Sequence, residues 1–299
     1  MRKIFIICTA IIAFSSCNRN KYDYDASGTF EATEIIVSSE ATGRLEWFNI
    51  EEGDVVGSGE QVGLVDTVQL HLNKMQLLAN RQAVESRTLY ISQQVAATQQ
   101  QIATQQRERD RTQRLIDANA GNTKQLDDIN SNIAVLEEQL AAQRESLQSS
   151  NSSISGEAQG VEAQVAAVED RIRRSIITSP IDGTVLLKYV EQGELTSTGM
   201  PLFKVADLDN MILRAYVTNG QLSQIKIEQQ VTVFTDLGDK DSRRYDGTIT
   251  WISDQAEFTP RTIQTKDERA NLVYAIKIAV PNDGYIKIGM YGDINFNAQ

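Results

Sequence analysis

Few side chains in this sequence could perform chemistry at a defined site. The chain of 299 residues contains one histidine, His71, and two cysteines, Cys8 and Cys17. Structural zinc sites need more of these ligands than the chain holds. A nucleophilic site with a histidine base would have to use His71, which has Met75 and no acid four residues later. We therefore interpret His71 as a surface residue, and predict no catalytic residue and no metal or cofactor site.

Cys17 lies in a segment that is typical of export. Two basic residues precede an apolar run from Ile4 to Phe14. As a helix this run would cover about 16 Å, roughly half of a bilayer core, so it is too short for a membrane span. Two serines and Cys17 follow, which resembles a bacterial lipoprotein signal; in that family the cysteine becomes the lipidated first residue. An ordinary cleaved signal with an incidental cysteine is the alternative.

The charge balance limits the possible partners. Lys and Arg number 29 against 40 Asp and Glu, a formal net charge of −11. Sequence-independent nucleic-acid binding needs a basic face, so we predict no nucleic-acid partner. Cleavage before Cys17 would remove Arg2, Lys3 and Cys8, which leaves 27 − 40 = −13. The single remaining cysteine is compatible with an oxidising compartment but allows no internal disulfide.

The middle of the chain, residues 67–174, reads as two long helices. Helix-forming residues dominate it, and residues 64–120 contain neither Gly nor Pro. The string around Gly121 combines C-cap and N-cap signals, which divides the stretch into two arms of about 52 residues, each about 75–80 Å long. The serine-rich string from Ser149 to Gly156 is poor helix material, so we expect a flexible or kinked place there.

Apolar residues seven positions apart predict that the arms pair as a left-handed coiled coil. The second arm carries an unbroken apolar seam: Leu126, Ile133, Leu140, Leu147, Ile154, Val161 and Val168. Its complementary seam turns polar toward the base: Ile129, Leu136, Gln143, Ser150, Glu157, Gln164 and Arg171. One apolar seam suffices for a two-helix hairpin but not for a thick bundle. Faces rich in Gln and Ala leave two interpretations open, a solvated coiled coil or lateral self-assembly into a tube.

Two β segments that flank the hairpin are copies of each other. Residues 37–65 align without a gap with residues 177–205, at an offset of 140 residues. Matched glycines indicate the same tight turns in both halves: Gly43/Gly183, Gly53/Gly193 and Gly59/Gly199. Neither half can bury its apolar face alone, so we expect the halves to close on each other.

The pattern of each half is G-x-[LV], then E-x-G, then a further Gly and a final apolar run. It resembles the biotinyl/lipoyl carrier fold, which is itself two symmetric halves. Where carriers have a turn with a modified lysine, Asp66 is followed here by the hairpin. A split lipoyl module with an inserted coiled-coil hairpin resembles the HlyD-like membrane fusion proteins, the periplasmic adaptors of tripartite efflux pumps and type I secretion systems.

The C-terminal third, residues 209–299, reads as five or six short strands between turn residues, which predicts a small β-barrel. Residues 257–277 and Ile288-Gly289-Met290 resemble the adaptor barrel of the same family, closest to the subgroup that works with ABC exporters. Adaptors of RND pumps usually continue into a further domain, whereas this chain ends at Gln299. We expect at most a small extra layer from Asp25 to Ile36, which favours an ABC partner over an RND partner.

The resemblance also implies a contact site at the hairpin tip. Family adaptors often show Arg-x3-Leu-x6-Ser where the hairpin meets the outer-membrane channel. Here Arg111 and Leu115 match, Asn122 stands at the Ser position, and the adjacent Thr123 could supply the hydroxyl. An arginine and a polar side chain can bond the carbonyls of a partner helical tip. The alternative is a capped turn with an ordinary surface arginine.

These inferences predict an α+β chain with six parts: 1–16 signal peptide, 17–36 lipid-anchored linker and first strand, 37–66 first lipoyl half, 67–174 hairpin, 175–208 second lipoyl half, 209–299 β-barrel. The resemblance implies a non-enzymatic adaptor on the inner membrane of a Gram-negative bacterium. It would link an inner-membrane transporter to a TolC-like channel and would form a ring, commonly of six copies. The rival interpretations are a lipoyl or biotin carrier and an envelope coiled-coil scaffold without a transport role.

Overall fold

The computed structural model describes residues 24–236, 242–258 and 272–296. Three long helices form the hairpin: α1 (Val68–Glu85) and α2 (Ile91–Asp117) in the first arm and α3 (Thr123–Arg174) in the second. A fourth helix, α4, is one turn at Asn219–Leu222. The strands are β1 (Ala26–Ser38), β2 (Gly43–Phe48), β3 (Val55–Val56), β4 (Gln61–Val65), β5 (Ile176–Thr178), β6 (Gly183–Lys188), β7 (Leu195–Thr196), β8 (Pro201–Thr218), β9 (Gln230–Asp236), β10 (Ser242–Phe258), β11 (Leu272–Pro281) and β12 (Tyr291–Asn295). The predicted signal and Cys17 lie outside the described residues.

The duplicated segments pair with each other through equivalent hydrogen bonds. We call them together the two-half module (residues 37–65 and 176–205). Four backbone bonds form two pairs related by the 140-residue offset: Gly59 N to Ser179 O and Gly199 N to Ser39 O at 2.8 Å, Gly53 N to Val185 O and Gly193 N to Leu45 O at 2.9 Å. All four glycines have φ between +79° and +97°, a region that suits residues without Cβ. An approximate twofold axis therefore relates the halves.

Lys188 breaks this symmetry near the axis. It occupies the position equivalent to Phe48, and its Nζ lies 5.8 Å from the centroid of that ring. The same Nζ contacts Glu51 at 3.0 Å and the equivalent Glu191 at 2.8 Å, with the lysine side chain only 7% exposed. The hydrogen bond to Glu191 raises the pKa of Lys188 most, against the opposing effect of desolvation. Lys188 thus forms an ion pair with one carboxylate from each half.

The remaining strands close into a ring, which we call the six-strand unit. Each antiparallel pairing follows the last, in the order β1–β12–β9–β10–β11–β8 and back to β1. The interior is apolar and fully buried, with Phe30, Leu213, Ile276 and Ile294 at its centre. The strands inferred from sequence in residues 211–218, 229–236, 246–253, 272–280 and 292–296 correspond to parts of β8 to β12.

β1 and β8 run through both β units. On the side of the two-half module Thr33–Ser38 pairs with Pro201–Asp207, and in the six-strand unit Ser27–Glu31 pairs with Ile212–Tyr216. The expected boundaries after residues 36 and 208 therefore fall inside strands. β1 fills the gap between β8 and β12 and does not form a separate layer, since the backbone groups of those two strands find their partners there.

The hairpin departs from the expected pattern in its first arm. Residues 86–90 interrupt the helix between α1 and α2, whereas α3 continues through the serine-rich string. The string Ser149–Gly156, where the sequence predicts a flexible or kinked place, does not interrupt the helix. Asn151 of α3 binds the backbone at the break: its Oδ1 accepts from Leu89 N and its Nδ2 donates to Leu89 O, both at 2.9 Å. The side chain of the intact helix satisfies the backbone that the broken helix leaves open.

The break also moves the complementary seam of α3 by one residue. The last four residues expected on this seam are exposed: Ser150, Glu157, Gln164 and Arg171. Their C-terminal neighbours are buried or half-buried: Asn151, Ala158, Val165 and Ile172. Along this seam, the step from Gln143 to the next inward residue, Asn151, is thus eight positions long, where a strict heptad has seven.

Candidate partner-binding site at the hairpin tip

The end of α2 is fixed by a Schellman motif. Ala120 N donates to Leu115 O at 2.8 Å and Asn119 N donates to Ile116 O at 2.9 Å. Asn119 takes the left-handed conformation, with φ +55°. The sequence predicted a C-cap in the string around Gly121, and within that string Asn119 fills the role. Asn is the residue other than Gly that most readily adopts this conformation, which is the signal that could have found it.

Gly121 is needed for a different reason. A Cβ on this residue would lie 2.5 Å from Ile116 Cγ1 and 2.7 Å from Ile116 N. The next residue, Asn122, is the N-cap of α3, and its Oδ1 accepts from Lys124 N at 3.0 Å. Thr123 is the first residue of α3 and is exposed. The oxygen of Asn122 is thus engaged in the cap, which leaves Thr123 as the neighbouring hydroxyl.

Arg111 and Leu115 lie on one face of α2, since residues four apart are neighbours on a helix. Arg111 is exposed, and within the described part of the chain its guanidinium has neither a hydrogen bond nor an ion pair. Leu115 is 46% exposed. The structure therefore brings all four predicted residues to the surface of the tip, where an unpaired cation lies beside an exposed apolar side chain. Contact with a channel stays a prediction.

Sequence comparison places the chain near a group of bacterial membrane proteins. No known family profile matches it. A UPF0194 membrane protein of Yersinia pseudotuberculosis is 36% identical over 126 residues, which are 42% of this chain and 38% of that relative. The match thus spans little more than a third of the relative's length. A UPF0194 membrane protein of Citrobacter koseri is 25% identical over 328 aligned positions, which cover 99% of this chain and 98% of the relative.

Structure comparison bears on the fold. MacA from Actinobacillus actinomycetemcomitans superposes with a TM-score of 0.53 and 20% identity, over 90% of this chain and 76% of that chain. The membrane fusion protein Spr0693 from Streptococcus pneumoniae gives 0.52 and 17% identity, over 91% and 98%. The chain has the fold of a membrane fusion protein.

The base of the hairpin in this membrane fusion protein fold is tied to the two-half module by charge. Arg174 Nη1 contacts Glu40 at 2.9 Å, and Arg174 Nε contacts Asp170 at 2.7 Å. The pKa of Arg174 is raised and that of Asp170 is lowered, chiefly by their mutual hydrogen bond, which the Arg173 side chain also supports at Asp170. The last turn of α3 thus places basic side chains at the negative end of its helix dipole.

Sequence reasoning missed a row of ion pairs between the arms of this fold. The bases come from the first arm and the acids from the second: Lys74 with Glu169 at 2.8 Å, Arg81 with Glu162, and Arg87 with Glu157 at 2.7 Å. The signal was present, because the bases recur at six or seven residues and the glutamates at five or seven. Exposed pairs of this kind contribute at most about 1 kcal/mol each, so they fix register more than stability.

Other chemistry is sparse. His71 lies exposed on α1, with Nδ1 3.0 Å from Thr67 O. Within the ranges that the structure describes, no three His, Cys, Asp or Glu side chains converge as metal ligands. Among those same residues, none of the helices combines the length and the apolarity that a membrane span requires.

Proposed function

We propose that this chain is a periplasmic adaptor that links an inner-membrane transporter to a TolC-like outer-membrane channel. The observation that carries the proposal is a long helical hairpin that projects from the two-half module and the six-strand unit. α3 has 52 residues, which span about 78 Å at 1.5 Å per residue. In this proposal the two-half module is a split lipoyl-type module, the six-strand unit is the adaptor barrel, and both dock on the transporter. The role is mechanical and not enzymatic.

The proposal includes a ring of copies, with six as the expected number, and a lipid anchor at Cys17. Support for lateral association comes from apolar side chains that a single hairpin leaves exposed: Leu72 at 54%, Met75 at 66% and Val135 at 66%. Leu72 and Met75 are three residues apart on one face of α1, and exposed apolar side chains that lie together can mark contacts with other chains. Repeated weak contacts around a closed ring add up without one large interface.

An ABC-type transporter is the proposed partner. This part rests on the resemblance of residues 257–277 and 288–290, and most of the first segment lies outside the described residues. Purification of the chain from membranes should therefore recover a subunit with ATPase activity. Recovery of a proton-driven pump would contradict the ABC assignment and leave the adaptor role standing.

Cross-linking from the tip tests the central proposal. After cleavage the chain contains only Cys17, so Leu115→Cys introduces a unique thiol if Cys17 is lipidated. A maleimide photo-crosslinker on this thiol should capture an integral outer-membrane protein in living cells. Val135→Cys is the matched control, because Val135 is also exposed, at 66%, but lies on α3 away from the tip.

Equal capture from both positions, or capture of other copies of this chain alone, would sink the channel contact. An envelope scaffold without a transport role predicts that second result. Loss of export on deletion, together with tip-specific capture, would support the adaptor.

A further inference from the structure

The end of the six-strand unit that lies away from the two-half module is the end where the chain enters. Asp25 N donates to Ile294 O at 2.9 Å, and Asp25 O accepts from the side chain of Gln221 in α4. The segment Thr218–Gln229 closes the same end. We call it the N-terminal end. Leu272, 46% exposed, lies there too, because its neighbour Val273 pairs with Thr218.

One turn at the N-terminal end presents an apolar side chain to solvent. Gln229 N donates to Lys226 O at 3.2 Å, which places Ile227 and Glu228 at the apex. Ile225 is buried in the core of the unit at 5% exposure, whereas Ile227 is 58% exposed. The buried isoleucine seats the turn, and the exposed one has nothing to cover it among the described residues.

The turn is held rigidly in this form. The side chain of Gln229 accepts from Lys226 N at 2.9 Å and donates to Phe296 O at 3.1 Å. Glu228 N donates to Ile249 O at 2.8 Å. Glu228 has φ +68°, a conformation that residues with a Cβ adopt at a cost and keep only where their surroundings enforce it. The exposed isoleucine is therefore a preorganised feature and not a fraying loop.

The chain outside the described residues limits what can face this turn. Cys17 precedes Tyr24 by seven residues, which span at most about 25 Å when extended. β1 leads away from this end toward the two-half module over 13 residues, about 43 Å at 3.3 Å per residue. If Cys17 carries the lipid, as proposed above, the N-terminal end must stay close to the bilayer while the hairpin points away.

We propose that the Lys226–Gln229 turn touches the lipid surface, with Ile227 in the apolar margin and Lys226 at the headgroups. An apolar side chain beside a cation suits that boundary, because the apolar part gains from burial and the cation stays with the headgroups. The carboxylate of Glu228, which is also exposed at the apex, must then face the water and not the anionic headgroups. One isoleucine binds weakly by itself, so the contact orients a chain that the lipid already holds.

The test uses the full lipidated chain in vesicles of phosphatidylethanolamine and phosphatidylglycerol, with and without brominated acyl chains. The probe is Ile227→Trp, and the wild-type chain supplies the background from Trp47 and Trp251. Leu195→Trp is the matched control, because Leu195 is 72% exposed but belongs to the two-half module. Bromine should cause a loss of tryptophan emission from position 227 and none above background from position 195.

Each other outcome overturns the proposal, and the outcomes separate it from the proposals above. A chain that floats with the vesicles but shows only background quenching at position 227 has an anchor and no turn contact. Quenching at both positions means that the chain lies along the membrane. A chain that does not float has no anchor, so both proposals about the membrane fall, while tip cross-linking still tests the adaptor role. A change in tryptophan emission from position 227 that appears only when the transporter is present assigns the turn to a protein partner.

Discussion

The two-half module and the hairpin are each built from two paired segments, yet only the module is symmetric. Its halves exchange equivalent hydrogen bonds and share the same glycine turns. The arms of the hairpin differ, since one is a helix of 52 residues and the other is divided into 18 and 27. Backbone bonds between the halves force one half to follow the other. Helices bond internally, so one arm can break while its partner stays whole.

The largest expected effect comes from adding a methyl group at equivalent glycines. A Cβ on Gly183 would lie 2.4 Å from the backbone oxygen of Ala206, whereas a Cβ on Gly43 would meet a side-chain methyl of Val65 at 2.8 Å. Backbone in a paired strand cannot give way easily, so Gly183→Ala should cost about 3 kcal/mol and Gly43→Ala about 1 kcal/mol. Thermal unfolding of the two variants measures the difference. Equal losses would mean that the halves tolerate strain alike.

A smaller effect is expected at the break in the first arm. Asn151→Ala removes both hydrogen bonds to Leu89, which should weaken that region by about 1–2 kcal/mol. Amide hydrogen exchange in residues 86–90 should quicken, with the two-half module unchanged. Asn132→Ala, at an exposed position of the same helix, is the control. Unchanged exchange in residues 86–90 would show that the break is stable without its clamp.

The smallest effect is expected from a substitution that makes the two halves of the module more alike. Thr196 is 4% exposed, and its hydroxyl is among the few buried side-chain groups of the described residues that lack a partner. The equivalent residue of the other half is Val56. Thr196→Val should therefore stabilise the chain by about 1 kcal/mol, and Thr178→Val, at an exposed site, should not. Destabilisation by Thr196→Val, read from the unfolding midpoint, would contradict this account.

The sequence predicted features that repeat or that need special backbone angles. Matched glycines indicated that two distant segments pair, and the apolar seams with the string around Gly121 indicated a hairpin. The break went unseen because residues 86–90 contain neither Gly nor Pro. The string Ser149–Gly156 forms part of an uninterrupted helix in spite of its poor helix propensity, because propensity is a weak preference that tertiary contacts override.

The role of β1 was equally hidden. Nothing local in Ala26–Ser38 states that one strand will pair along two different units, because register depends on the edges that other strands leave open. At the tip, the residue types gave the turn and the exposed positions. Asn151 was missed, since it acts on the backbone of Leu89, which only the folded chain brings near it.

The two strands that cross both β units have a mechanical consequence. A hinge between domains normally needs a linker, but here the crossing is made of paired strands, whose register shifts between Glu31 and Thr33 and again between Val37 and Ser38. Rotation of the six-strand unit would therefore be transmitted through β1 and β8 to the two-half module and the base of the hairpin. Because the hairpin is long, a rotation of a few degrees at its base would move its tip by several ångströms.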